Sequence, residues 1–241
     1  MAEIIFSGMD PQPSIYPFGL RIDEPVTMVT DILVALVCWY AFFRLRPLAD
    51  RPLHWRLLLF FILMGAATFL GGVLGHGFLY AFGFYAKLPG WLISMLAVNF
   101  VERAMIRYSS DVLSSRTTRV LTVLNWIELA TFAALSFGTL NFLYVEIHST
   151  YGFLVVVFSL AVMNYLRGRK TPFIYYTMLA VGMIFICSVV FVGKLAIHRW
   201  FSHADLAHIF MALGAYFFYR ATRSLMLQQD ESGATHEPSA A

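Results

Sequence analysis

The sequence predicts an all-α membrane protein: a bundle of seven transmembrane helices, with the N-terminus outside and the C-terminus in the cytoplasm. Three observations lead there. Of the 241 residues, 59% are hydrophobic and 13% charged, with a mean hydropathy of +0.70, well away from the balance of soluble domains. Apolar runs of about 20 residues, the length a helix needs to cross the hydrocarbon core, recur seven times. The basic residues divide unequally between the two ends of those runs: Arg21, Lys87, Lys194 and Arg199 fall on one side and the other thirteen of the 17 on the opposite side, which is the side expected to face the cytoplasm. The net charge of +3 is therefore a topology signal and does not point to nucleic-acid binding.

Residues 1–24 carry Pro11, Pro13 and Pro17 and no basic start, so they read as an extended external arm and not as a signal peptide. The transmembrane domain is expected over 25–225. Its first span, 25–45, is entered through Asp23-Glu-Pro25, with the proline in the first turn, where its missing N–H costs nothing. Asp31 lies more than a turn inside. The second span, 55–84, ends in a glycine-rich run holding His76, which allows a close helix neighbour. Only residues 85–87 separate it from the third, 88–108, so the two form a tight hairpin. Spans three and four, the latter over 118–138, repeat one pattern, Asn99-Phe-Val-Glu102 and Asn125-Trp-Ile-Glu128. Each places an amide and a carboxylate on one face, serving either as an interhelical lock or as a proton path.

The fifth span, 141–166, carries Glu146 and His148, two apart and hence on nearly opposite faces. His148 is the expected site residue, with Tyr151 beside it. The sixth, 173–197, is poor in polar groups, and Lys194 at its end reads as snorkelling to the interface. The seventh, 202–225, holds His203, Asp205 and His208. Residues 226–241 read as a polar, disordered cytoplasmic tail. Cys38 and Cys187, both inside spans, read as apolar packing residues.

Counting along alternating directions puts Asp31, His76, His148, Asp205 and His208 in the outer half of the bilayer. Ionisable residues are rare and costly there, so five at one depth are expected to surround one site. Three imidazoles with a carboxylate form the ligand set of a zinc centre with an open position. The expected ligands are His76, His148, His208 and Asp205, with Asp205 and Asp31 moving protons. At that depth the accessible substrates are membrane lipids.

The run Ala204-Asp-Leu-Ala-His208, followed by Leu213-Gly214 and Tyr216, resembles the last span of the alkaline ceramidases, members of a seven-span superfamily that also holds the progestin and adiponectin receptors. His208 falls on the second histidine of the family's His-x-x-x-His, and His76 on the histidine of its Ser-x-x-x-His. The acidic entry leading to Asp31 is similar to theirs. Ala204 stands in place of the first histidine and Gly72 in place of the serine, and the family's aspartate after the second span has no clear counterpart. The resemblance implies zinc-dependent cleavage of a lipid amide, in a multi-pass protein whose expected setting is a bacterial inner membrane. Two other classes compete: electron transfer through a b-type haem ligated by two of the histidines, and a transporter or receptor using the same polar cluster to bind its ligand.

Overall fold

A computed structural model describes residues 5–6 and 12–234 of the chain. The remainder of the arm and residues 235–241, the end of the expected tail, lie outside the described residues. Seven long helices follow one another: α1 (Pro25–Leu45), α2 (Pro52–Gly77), α3 (Leu88–Tyr108), α4 (Ser115–Thr139), α5 (Leu143–Leu166), α6 (Pro172–Val192) and α7 (His203–Ala234). Among the described residues, six helices, from α1 to α6, are long and apolar enough to cross a membrane, and the chain is a multi-pass membrane protein. The seventh carries Asp205, His208, Arg220 and Arg223 along its length. It also runs further than its apolar segment, so residues 226–234, expected to be unstructured, continue the helix.

The helix starts follow local chemistry. Pro25, Pro52 and Pro172 sit at the first helical position, where no N–H is needed. Ser114 and Thr171 cap α4 and α6 by accepting the N–H of Thr117 and Ile174. Two helices are not α-helical throughout. Residues Gly71–Gly77 of α2 and Tyr151–Val157 of α5 are wound as π-helix, a wider turn that changes which face the following side chains occupy. The expected second span also ends early. The helix stops at Gly77, and residues 78–87 form two short helical turns separated by Gly83 at φ +72°. α6 likewise stops at Val192, followed by Lys194 at φ +51° and the short strand β2 (Leu195–Ala196). That strand pairs antiparallel with β1 (Ile5–Phe6) of the N-terminal arm.

α6 packs most extensively on α7, α2 on α3, and α1 on both α2 and α7. The interior is aromatic where α2, α5 and α7 meet: Phe60 stands edge-on to Phe218 at 5.1 Å between centroids and to Phe153 at 6.0 Å. Glycine permits a close crossing of α1 and α2. A Cβ on Gly65 would lie 2.6 Å from Trp39 Cδ1, so the indole occupies the space a side chain would take. Phe218 is 2% exposed, and truncating it leaves a void that its three-helix surroundings cannot close. Phe218→Ala should cost about 3 kcal/mol, read as a lowered thermal unfolding midpoint in detergent, whereas Leu166→Ala, 76% exposed, should leave the midpoint in place.

Candidate functional site

Asp31, one turn and a half into α1, is 5% exposed. It faces the π-helical stretch of α2 because Gly72 lets it: a Cβ at Gly72 would lie 2.7 Å from Asp31 Cβ and 3.0 Å from the Met28 carbonyl. Two imidazoles meet this carboxylate, one on each oxygen. His208 Nε2 of α7 lies 3.3 Å from Asp31 Oδ1, and His76 Nε2 of α2 lies 3.9 Å from Asp31 Oδ2.

The far nitrogens of both rings are engaged. His76 Nδ1 pairs with Glu24 Oε2. Glu24 precedes α1 in the left-handed backbone region, at φ +41° and ψ +55°, a conformation that costs a non-glycine residue free energy and recurs at functional sites. The hydrogen bond from His76 holds the Glu24 carboxyl below its ordinary value against the opposing effect of burial. His208 Nδ1 lies 3.0 Å from Thr30 Oγ1. That hydroxyl already has two acceptors in reach, Thr27 O at 3.0 Å and Asp205 Oδ1 at 3.4 Å, so its hydrogen is directed there and it accepts from the imidazole N–H. A ring protonated at Nδ1 and neutral overall presents a lone pair at Nε2. Each ring thus turns its Nε2 to one oxygen of Asp31. A proton on Nε2 or on the carboxyl, or a metal cation between them, completes each contact.

Asp205 is fully buried and stands behind this group. Its Oδ2 accepts the Gln12 amide at 2.6 Å and the Ser202 N–H at 2.5 Å, while Gln12 Oε1 accepts the Val26 N–H at 3.0 Å. Asp205 thus caps the start of α7, ties it to α1 and orients His208 through Thr30. It does not line the cavity, where a proton-transferring or metal-binding Asp205 was expected.

His148 is not in this group either. It is buried between α3, α4 and α5, with Nδ1 2.5 Å from Glu128 Oε1 and Nε2 3.0 Å from the Met95 carbonyl. Of the two oppositely facing candidates on α5, Glu146 lines the cavity and His148 packs inward. The expected partner Tyr151 is 41% exposed. The expectation for His148 leans on Tyr151 lining the same pocket, whereas the half-buried Glu128 supplies the partner that draws the imidazole inward. The Asn–Glu repeat on α3 and α4 does cross-link those helices: Asn125 Nδ2 donates to Glu102 Oε2, and Asn99 Nδ2 to the Asn125 carbonyl at 3.2 Å.

A cavity of about 1000 Å³ opens from the Asp31 group. Its walls are apolar, with Val34, Phe60, Met64, Phe153, Ile184 and Phe218 among them, and Lys87, Lys194 and Arg199 stand along its lining as well. Lys194, expected only to snorkel, is turned into this lining after the helix ends early. Apolar walls interrupted by the Asp31 group, by Glu146 and by these three cations suit an amphipathic molecule.

The donor set tests whether a metal fits. His76 Nε2, His208 Nε2 and an Asp31 oxygen are two-histidine, one-carboxylate ligands of the kind zinc takes. The Glu24 and Thr30 contacts to the far nitrogens are the outer partners such ligands use. Among the described residues no three His, Cys, Asp or Glu side chains are drawn together tightly enough to hold an ion as they stand, so the residues fit in kind and binding would draw them inward.

Residues 26–227 match a family of unknown function (DUF6962), and the chain belongs to that family. No curated protein and no solved structure matches it.

The Gly72 contact is testable by its neighbour. A Cβ at Gly71 would meet only Asp31 Oδ2, at 3.8 Å, an ordinary contact. Gly72→Ser should destabilise by roughly 1–3 kcal/mol through overpacking, and Gly71→Ser should be near neutral in thermal unfolding; equal effects would show that α1 and α2 are not in this contact.

Proposed function

We propose that the chain is a seven-span integral membrane hydrolase, with its N-terminus outside, that cleaves a lipid amide or ester at the Asp31 group. The observation that carries this reading is the pair of imidazole Nε2 atoms addressing opposite oxygens of one buried carboxylate, at the head of a cavity. The thirteen-to-four distribution of basic residues supports the orientation, and a bacterial inner membrane is the proposed setting.

His76, His208 and Asp31 would hold a zinc ion, in place of the set with His148 and Asp205. The chemistry that ion supplies when bound is polarisation of a carbonyl and a water of lowered pKa. The chain's own groups do the rest. Glu24 and Thr30 hold the two rings with Nε2 inward, Asp205 fixes Thr30 and the start of α7, and the apolar walls exclude water while they align an acyl chain. With Asp31 a ligand, Glu24 is the carboxylate beside the site placed to take up and return a proton. Gly72 leaves no side-chain hydroxyl at the serine position of the ceramidase pattern, and Asp31 Cβ occupies that space.

The separation of the donors as they stand favours one competing class, a transporter or receptor whose cavity binds an amphiphile without cleaving it. A haem bridge is a poorer match, because both rings address the same carboxylate and not the two faces of a porphyrin.

The decisive experiment is elemental analysis of protein purified in mild detergent without added metal, followed by incubation with lipid amides and esters. About one zinc per chain is expected, lost in His76→Ala, His208→Ala and Asp31→Asn, and retained in His148→Ala, with all variants inserting in the membrane. Lipid cleavage should fall with zinc content. Full metal occupancy in His76→Ala or His208→Ala would overturn the site, and metal-free wild-type protein that binds an amphiphile uncleaved would move the assignment to binding.

A further inference from the structure

A second buried polar group lies apart from the cavity, between α3, α4 and α5. Its members are Asn99 and Glu102 of α3, Asn125 and Glu128 of α4, and His148 of α5. Glu102 is 1% exposed and Asn99 fully buried. Gly152 of α5 makes the approach possible, since a Cβ there would lie 2.7 Å from Glu102 Oε1.

Its charges can be counted. The Met95 carbonyl only accepts, so His148 Nε2 carries a hydrogen and donates to it. The Nδ1 side of the ring meets Glu128 Oε1 at 2.5 Å, which requires one proton between them. Whether that proton resides on the ring or on the carboxyl, the His148–Glu128 pair has no net charge. Glu102 has no such partner. Its Oε2 accepts from Asn125, and the neighbouring Arg103, whose Nη1 is likewise buried and without an acceptor, turns its guanidinium over the Trp126 ring, 4.7 Å from the centroid, with no ion pair to Glu102 among the described residues.

Four oxygens are left over. Asn99 Oδ1, Glu102 Oε1, Asn125 Oδ1 and Glu128 Oε2 are all buried and without a hydrogen-bond donor among the described residues. The amide orientations are not interchangeable, because both Nδ2 groups are committed as donors. One uncompensated negative charge and four acceptor oxygens in a low-dielectric bundle are costly unless a positive charge sits among them. We propose that this oxygen cluster between α3 and α4 is a binding site for one small monovalent cation, either a proton carried on Glu102 or a sodium ion. The site is independent of the cavity and of the reaction assigned to it.

The test uses the full chain in detergent. Thermal unfolding is followed while sodium chloride replaces choline chloride at constant ionic strength in mildly alkaline buffer, and the infrared spectrum is recorded on protein labelled with 13C-glutamate. A saturable rise of the midpoint with sodium, abolished in Glu102→Gln, identifies the sodium form. A protonated-carboxyl C=O band that shifts with the label and disappears in Glu102→Gln, with no sodium response, identifies the proton form. Glu102→Gln keeps an oxygen to accept from Asn125; if that variant does not fold, the sodium titration of the wild-type chain and a labelled band that persists in Glu128→Gln decide in its place. Neither response in the wild-type chain overturns the proposal and leaves the oxygens to water.

Discussion

The carboxylate of Asp31 is the constraint on which the candidate site depends. A buried carboxylate in a helical bundle has to be met by positive charge or hydrogen-bond donors, and the helices around it are built to do so. α1 lies against the glycine face of α2 so that Asp31 fits over Gly72. His76 and His208 then approach it from either side, and a further layer of Glu24, Thr30, Asp205 and Gln12 holds those rings in place. The polar groups at this end of the bundle therefore form one nested set, in which α1, α2, α7 and the N-terminal arm each contribute a member.

The bundle was largely legible because helix length and apolarity are carried by composition within one segment. The boundaries that slipped have local causes. The second span ran too far through Phe84 because apolarity does not report the break at Phe78 and Gly83, and the tail was called too early because a polar helix extending from the bundle has no apolar signal to read. The site was legible in part. Asp31, His76 and His208 share a place because rare charges at one depth tend to gather. Asp205 and His148 have the same residue types but face other partners, and facing is a property of helix rotation that a single sequence conveys poorly. The arm was harder still: Gln12 reaches Asp205 across 193 positions, and nothing in a proline-rich segment announces that contact.

The two buried polar groups divide the bundle. The first sits at the head of the cavity, with apolar walls leading away from it toward the Phe60, Phe153 and Phe218 cluster. The second is sealed between α3, α4 and α5 behind Gly152. Phe153 belongs to the wall between them, since it lines the cavity while its neighbour Gly152 touches Glu102. Changes in side-chain packing at that turn of α5 therefore bear on both groups.

Both groups also adjoin a π-helical stretch: His76 lies within one, and His148 three residues before the other. A π turn is what an α-helix becomes when a residue is accommodated without unwinding the helix, and one residue corresponds to about 100° of rotation. Such a helix can present a new side chain to an old neighbour while its ends, loops and packing beyond the turn stay where they were. In descent, polar sites of this kind are open to revision by single insertions and deletions inside membrane helices, a class of change usually regarded as ruinous there. Relatives of this chain that differ in length by one residue in these two stretches would then differ in chemistry before they differ in fold.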